Sequence, residues 1–145
     1  MATRSRRSAA ALLVAMDGSE NALRALKLAL AWARQRDQAI HIVHVQPRIK
    51  SSRLMPRSLI EEHYERQSQA AFKPARELVK RTGVTAVFDD CLGDPAATLA
   101  AYAKKYHCEQ IVLGNRGHGA IATLFLGSVA MKVLHLADVP VTLVK

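Results

Sequence analysis

Short aliphatic runs alternate with segments of helical period along nearly the whole chain, and this alternation narrows the fold more than any other feature. Ala10 to Met16 is a continuous aliphatic run of strand length. Further strands are expected at Ala39 to Val45, at Thr85 to Phe88 with an extension toward Leu92, at Gln110 to Leu113, and at Val141 to Val144. After the first, Ser19 is a natural N-cap. Leu23, Leu26, Leu30 and Ala33 then form a helical stripe that Ala22, Ala25, Ala29 and Trp32 widen. A long helix is expected from about Arg57 to Arg81, with Leu59, Ile60, Tyr64, Ala71, Leu78 and Val79 inward. Pro74 should kink or restart it, and Gly83 should stop it. Asp94 caps and Pro95 opens a third helix that reaches about Tyr106, with Ala96, Leu99, Ala100 and Ala103 inward. The last helix covers Ser128 to Leu136, with Val129, Val133, Leu134 and Leu136 inward.

Five strands separated by four helices predict an α/β fold. It is a flavodoxin-like (Rossmann-like), doubly wound, five-stranded parallel sheet, of expected order 3-2-1-4-5, with helices on both faces. A chain of 145 residues suffices for one such domain with a full core. The domain is taken as residues 10–145, behind a flexible basic arm at 1–9. Half the residues are hydrophobic and only 5% aromatic, so the core is aliphatic, as a covered parallel sheet requires.

The net charge of +9 invites a nucleic-acid reading. However, the basic groups Arg4, Arg6 and Arg7, and Arg48, Lys50, Arg53 and Arg57, flank or join elements and do not stripe one helix. No aromatic residues are interleaved to stack bases. A solvated basic surface is therefore expected, without nucleic acid. Cys91 and Cys108 lie far apart without metal-ligand spacing, which predicts free thiols in a reducing compartment. The basic start followed by an apolar run has the outline of a signal peptide. The run stops at Asp17-Gly18 with no small-x-small cleavage site, and it is needed as a strand, so a cytoplasmic location is expected. No stretch approaches the ~20 apolar residues of a membrane span, so no membrane partner is expected.

In a sheet of this order, ligands bind at the carboxyl ends of the first and fourth strands, where the order reverses. Two loops leave those ends. One is Asp17-Gly18-Ser19. The other carries Gly114-x2-Gly117-x9-Gly127-Ser128. Gly114 frees the chain as it leaves the strand, Gly117 permits close backbone approach, and Gly127-Ser128 presents N–H groups and a hydroxyl at a helix start, an arrangement suited to phosphate. The same spacing also suits a surface loop with an ordinary Ser cap. Asp17 has two readings as well: it accepts from ribose hydroxyls or helps hold Mg²⁺, or it serves its own turn with Gly18. There is no Gly-Lys-Ser/Thr for a P-loop. Gly117-x-Gly119-x-x-Ala122 has the shape of a dinucleotide fingerprint but begins too far after the strand. His118 is the histidine of this loop, either touching phosphate or solvated. His41 and His44, three apart in a strand, point to opposite faces and cannot share a metal. No Ser-His-Asp set or carboxylate pair presents itself for catalysis.

These motifs, with Leu-Leu-Val-Ala-Met-Asp-Gly-Ser-Glu near the start, Ile-Val-His-Val in the second strand, Gly-Asp-Pro-Ala before the third helix and the closing Pro-Val-x-Leu-Val, resemble the universal stress protein family. The branch they resemble is the one that binds ATP, and the likeness runs from about Ala10 to Val144. The resemblance implies that Ala15 lines the pocket floor and that Asp17 faces the ribose or the metal–phosphate end. It implies that Val45 offers its backbone to adenine, that Leu113 and Gly114 lie along the ribose, and that Gly117, Gly127, Ser128 and Val129 grip the phosphates. It further implies ATP with Mg²⁺ as cofactors and a homodimer paired through Val139 to Val144. The expected role is a stress-response or signalling module in which nucleotide occupancy is the signal. One alternative is slow ATP hydrolysis or phosphoryl or adenylyl transfer, with Arg116 as the candidate for transition-state charge. The other is a module that binds nucleic acid or a protein partner through its basic arm and its 48–57 loop.

Overall fold

The computed structural model describes residues 10–118 and 126–145. The basic arm and the fingerprint-like Gly119 and Ala122 lie outside the described residues. The chain runs β1 (Leu12–Ala15), α1 (Glu20–Arg36), β2 (Ile40–Gln46), α2 (Arg57–Lys80), β3 (Ala86–Leu92), α3 (Pro95–Lys105), β4 (Gln110–Gly114), α4 (Ser128–Leu136) and β5 (Val141–Val144). The five strands form one parallel sheet in the order β3-β2-β1-β4-β5. This is the α/β architecture expected from the alternation of runs. The first strand is shorter than its aliphatic run, and the third reaches Leu92.

Each central strand divides its residues between two cores. Leu12, Val14, Ile40, Ile42 and Val112 face α1 and α2, where Leu26, Ala29 and Phe72 meet them. Leu13, Val43, Ile111 and Leu113 face the other way, against Leu99, Ala103 and Val133 of α3 and α4. Burial on both faces is the reason these strands are aliphatic throughout. The local signals act as their chemistry requires. Ser19 Oγ accepts from Ala22 N at 3.2 Å, capping α1. Asp94 accepts from Ala97 N at 3.0 Å, with Pro95 behind it as the first residue of α3. Gly83 lies two residues past the α2 C-cap at φ +70, where a side chain would be strained.

Three expectations are corrected. Helix α2 runs unbroken through Pro74, so it does not restart there. Proline removes the hydrogen bond to the carbonyl of Ala70. That carbonyl lies against the Asp17–Gly18 turn, since a Cβ on Gly18 would stand 3.7 Å from it. Leu59 is 54% exposed, whereas Ile60 and Ala71 are buried as expected and are joined by Ser68, Phe72 and Ala75. On α4, Ala130 and Val133 are buried, whereas Leu134 and Leu136 are exposed. The helix touches the sheet by a narrow stripe, and its flanking leucines lie beyond the sheet's reach. Cys91 and Cys108 are free, as expected, and burial pushes the Cys108 thiol up to about 11.

One close packing point controls the middle of the fold. A Cβ on Gly114 would stand 2.8 Å from Asn21 Cβ and 2.9 Å from the Asn21 carbonyl carbon. The end of β4 and the first turn of α1 are thus too close for any side chain. Gly114→Ala is expected to cost about 1–3 kcal/mol through overpacking, read as a lower urea midpoint with an unchanged slope.

Candidate functional site

A cleft of about 280 Å³ opens at the carboxyl ends of β1 and β4, where the strand order reverses. Ala15, Asp17, Val45, Leu113, Gly114, Arg116, Gly117, Gly127, Ser128 and Val129 all line it, so the structure brings together every residue singled out as a binding candidate. His118 lines it too. Its mostly aliphatic floor is completed by residues the sequence did not single out for the site. Val43 comes from β2, and Pro95 and Leu99 come from the first turns of α3. A usable signal existed for the last two. Residues four apart share a helix face, and α3 begins at the end of the sheet where ligands bind.

Asp17 carries out its turn role. Its Oδ1 accepts from Ser19 N at 2.8 Å, and its Oδ2 accepts from His118 N at 3.2 Å. The carboxylate therefore joins the β1 loop to the β4 loop across the switch point. Gly117 allows this, because a Cβ there would stand 2.5 Å from Asp17 Oδ2. A second tie lies beside it: Asn21 donates from Nδ2 to Asn115 Oδ1 at 3.0 Å, and Gly127 N donates to the Asn115 carbonyl at 2.7 Å. These bonds return the chain to the start of α4 next to the strand it left.

The helix ends differ in a way that matters for anions. Side chains cap α1 and α3, but the N-cap of α4 is Gly127, which has none to offer. The first N–H groups of α4 thus face the cleft without an internal acceptor from the cap. Gly127 has φ −70, so its value here is not backbone freedom. Arg116 also lines the cleft and forms no ion pair among the described residues. A bare helix start in a cleft that an arginine also lines is suited to hold phosphate.

Two histidines have assigned places away from phosphate. His44 donates from Nδ1 to the Met16 carbonyl at 2.7 Å and packs edge-on against Phe72, which stiffens the cleft wall. His41 lies on the opposite face, 2.8 Å from the Tyr102 hydroxyl, as strand alternation requires. Tyr102 donates onward to Asp89, and burial followed by that bond pushes its phenol well above the usual range. Among the described residues no three His, Cys, Asp or Glu side chains cluster as a metal site.

The family model for universal stress proteins matches residues 10–145, which spans all of this architecture. The chain belongs to the universal stress protein family. A relative from Thermus aquaticus, the universal stress protein in the QAH/OAS sulfhydrylase 3′ region, is 34% identical over 137 residues, covering 92% of this chain and 97% of its own. Universal stress protein UspA from Lactobacillus plantarum superposes with a TM-score of 0.82 at 21% identity, covering 94% of this chain and 97% of the other. A universal stress protein solved in complex with cAMP gives a TM-score of 0.73 at 24% identity, covering 94% and 97%. The Archaeoglobus fulgidus universal stress protein solved with dAMP gives 0.71 at 23% identity, covering 95% and 99%. These likenesses agree on the fold, and two of the relatives hold nucleotides.

Asp17→Ala removes the acceptor for two backbone donors. It is expected to lower stability by about 1–3 kcal/mol in nucleotide-free and metal-free buffer, with faster amide exchange at Ser19 and His118. Unchanged stability there would leave the carboxylate a role only toward a ligand.

Proposed function

We propose that this universal stress protein binds ATP in the β1–β4 cleft and acts as a dimeric stress-response or signalling module whose state is set by nucleotide occupancy. The observation that carries the reading is the uncapped start of α4, opening on the cleft beside Arg116 and facing the Asp17 loop. Phosphate oxygens would accept from the N–H groups of Ser128 and Val129 and from the Ser128 hydroxyl. The Gly117 backbone, brought close by Asp17, would lie along the same phosphate chain. Ala15, Val45 and Leu113 supply the apolar wall that a nucleoside needs, with the Val45 backbone offered to adenine and Leu113–Gly114 beside the ribose. The dAMP and cAMP bound by two relatives support an adenine nucleotide in this fold.

Mg²⁺ fits this donor set. Asp17 accepts two N–H bonds, and a carboxylate has about four lone-pair directions, so acceptor capacity is left for a hard cation. The ion would neutralise phosphate charge, and the protein's own part would be that one carboxylate. Occupancy would act as a signal through the Gly114–Ser128 loop, whose described ends at Gly117 and Gly127 the phosphates would hold together.

The dimer reading rests on β5. It is a sheet edge whose four residues are all half-buried, and α4 beside it exposes Met131, Leu134 and Leu136. An apolar edge strand of this kind is suited to pairing with a second copy through Val139 to Val144.

Two measurements test the proposal. A Cβ on Gly127 would meet Arg116 Cα at 3.4 Å, an ordinary contact, so Gly127→Ala should fold normally. Gly127→Val puts a branched side chain over the α4 N–H groups, and calorimetric titration should show ATP affinity reduced at least about tenfold, a loss of roughly 1.4 kcal/mol. Unchanged affinity would remove the phosphate role from α4. Sedimentation equilibrium should give twice the 15.9 kDa chain mass, and a monomer would overturn the β5 pairing.

A further inference from the structure

The segment between β2 and α2 presents surface that neither the core nor the cleft explains. Leu54 is 95% exposed and Met55 45% exposed. Arg48, Lys50, Arg53 and Arg57 flank them and are all exposed, and no carboxylate occurs between Asp37 and Glu61. Of these four cations, only Arg57 forms an ion pair among the described residues, with Glu61 at 3.0 Å. The segment is also shaped. Ile49 N donates to the Tyr64 hydroxyl at 2.7 Å, and that hydroxyl donates to the Pro47 carbonyl at 3.3 Å, which pins the base of the loop to α2. Met55 N donates to the Ser52 carbonyl at 3.1 Å, which closes a turn at the tip, and α2 starts directly after Pro56. The two apolar side chains are thus exposed on a preformed turn whose flanking residues are cationic and exposed.

We propose that this turn docks the protein on an anionic bilayer surface. Leu54 and Met55 enter the headgroup region while the surrounding cations pair with lipid phosphates and carboxylates. The membrane interface is where negative charge and an apolar depth occur together, and long basic side chains reach the headgroups while their stems lie on the apolar layer. Nucleic acid offers the charge but no place for aliphatic side chains, and the segment holds no aromatic residue on which a base could stack. The expected attachment is peripheral and reversible, since two small apolar anchors with four cations fall short of permanent insertion. No helix among the described residues is long and apolar enough to cross a membrane, so the expectation of no membrane partner narrows to no spanning helix. The loop leaves the carboxyl end of β2, the end on which the cleft opens, so docking would hold the cleft near the bilayer. The proposal stands whatever fills the cleft.

The test is co-sedimentation of the full chain with vesicles of phosphatidylcholine alone or mixed with phosphatidylserine. Binding is expected to the mixed vesicles only and to weaken as salt is raised. The double variant Leu54→Ser, Met55→Ser keeps every cation and changes only exposed side chains, so it should fold as before. Its partition onto mixed vesicles should fall at least about tenfold. Absence of wild-type binding to mixed vesicles would overturn the proposal. So would an unchanged partition of the double variant, which would show adhesion by charge alone. Equal or tighter binding to polyglutamate, with the same dependence on Leu54 and Met55, would overturn it in favour of an acidic protein partner.

Discussion

The Asp17 carboxylate stands where the strand order reverses, and the geometry of the cleft depends on the two backbone donors it accepts. Ser19 N on one oxygen sets the entry to α1, and His118 N on the other draws the β4 loop across the switch point. The bond to His118 does not fit as it stands unless Gly117 lacks a side chain, and α1 cannot lie where it does unless Gly114 lacks one too. Two glycines of the Gly-x2-Gly-x9-Gly-Ser spacing therefore make room for protein atoms first. Gly127 differs: among the described residues a Cβ there meets only ordinary contacts.

The contrast between helix starts follows from the same arrangement. At α1 and α3, Ser19 and Asp94 consume N–H groups that would otherwise face the carboxyl end of the sheet. At α4 a glycine leaves them unconsumed. Four helices begin at this end of the sheet; α2 also starts without a side-chain cap, at Pro56, but among the described residues the uncapped start that lines the cleft, with Arg116, is that of α4.

The apolar side chains that the core does not use are equally informative. Leu59, Leu134 and Leu136 fit their helical stripes by period, and all three are exposed. A period of 3.6 identifies which residues share a face, but the width of the buried stripe is set by how far the sheet extends beneath the helix. Helix α4 packs near the β5 edge, and α2 begins beyond the end of β2, so both overhang. Pro74 is a similar case. Its ring fits an unbroken helix, and the carbonyl it leaves behind lies against the Gly18 turn, a neighbour that no local rule could supply.

Element order, helix starts and the aliphatic character of both cores were legible in the chain itself, because each follows from short-range chemistry, and the sheet order was legible only through the rules of doubly wound folds. Strands fully buried by crossover helices must be apolar on both faces, and Ser19 and Asp94 reach donors three residues ahead. The ten candidate residues also converge on one cleft, since parallel topology brings the strand ends to one side. What only the tertiary structure decided was the work each does there. That Asp17 bonds His118 rather than standing free, that Gly114 answers to Asn21, and that Pro95 and Leu99 complete the floor are contacts between distant segments. They arise only after the sheet has assembled and set β1 beside β4, and periodicity carries no information about such neighbours.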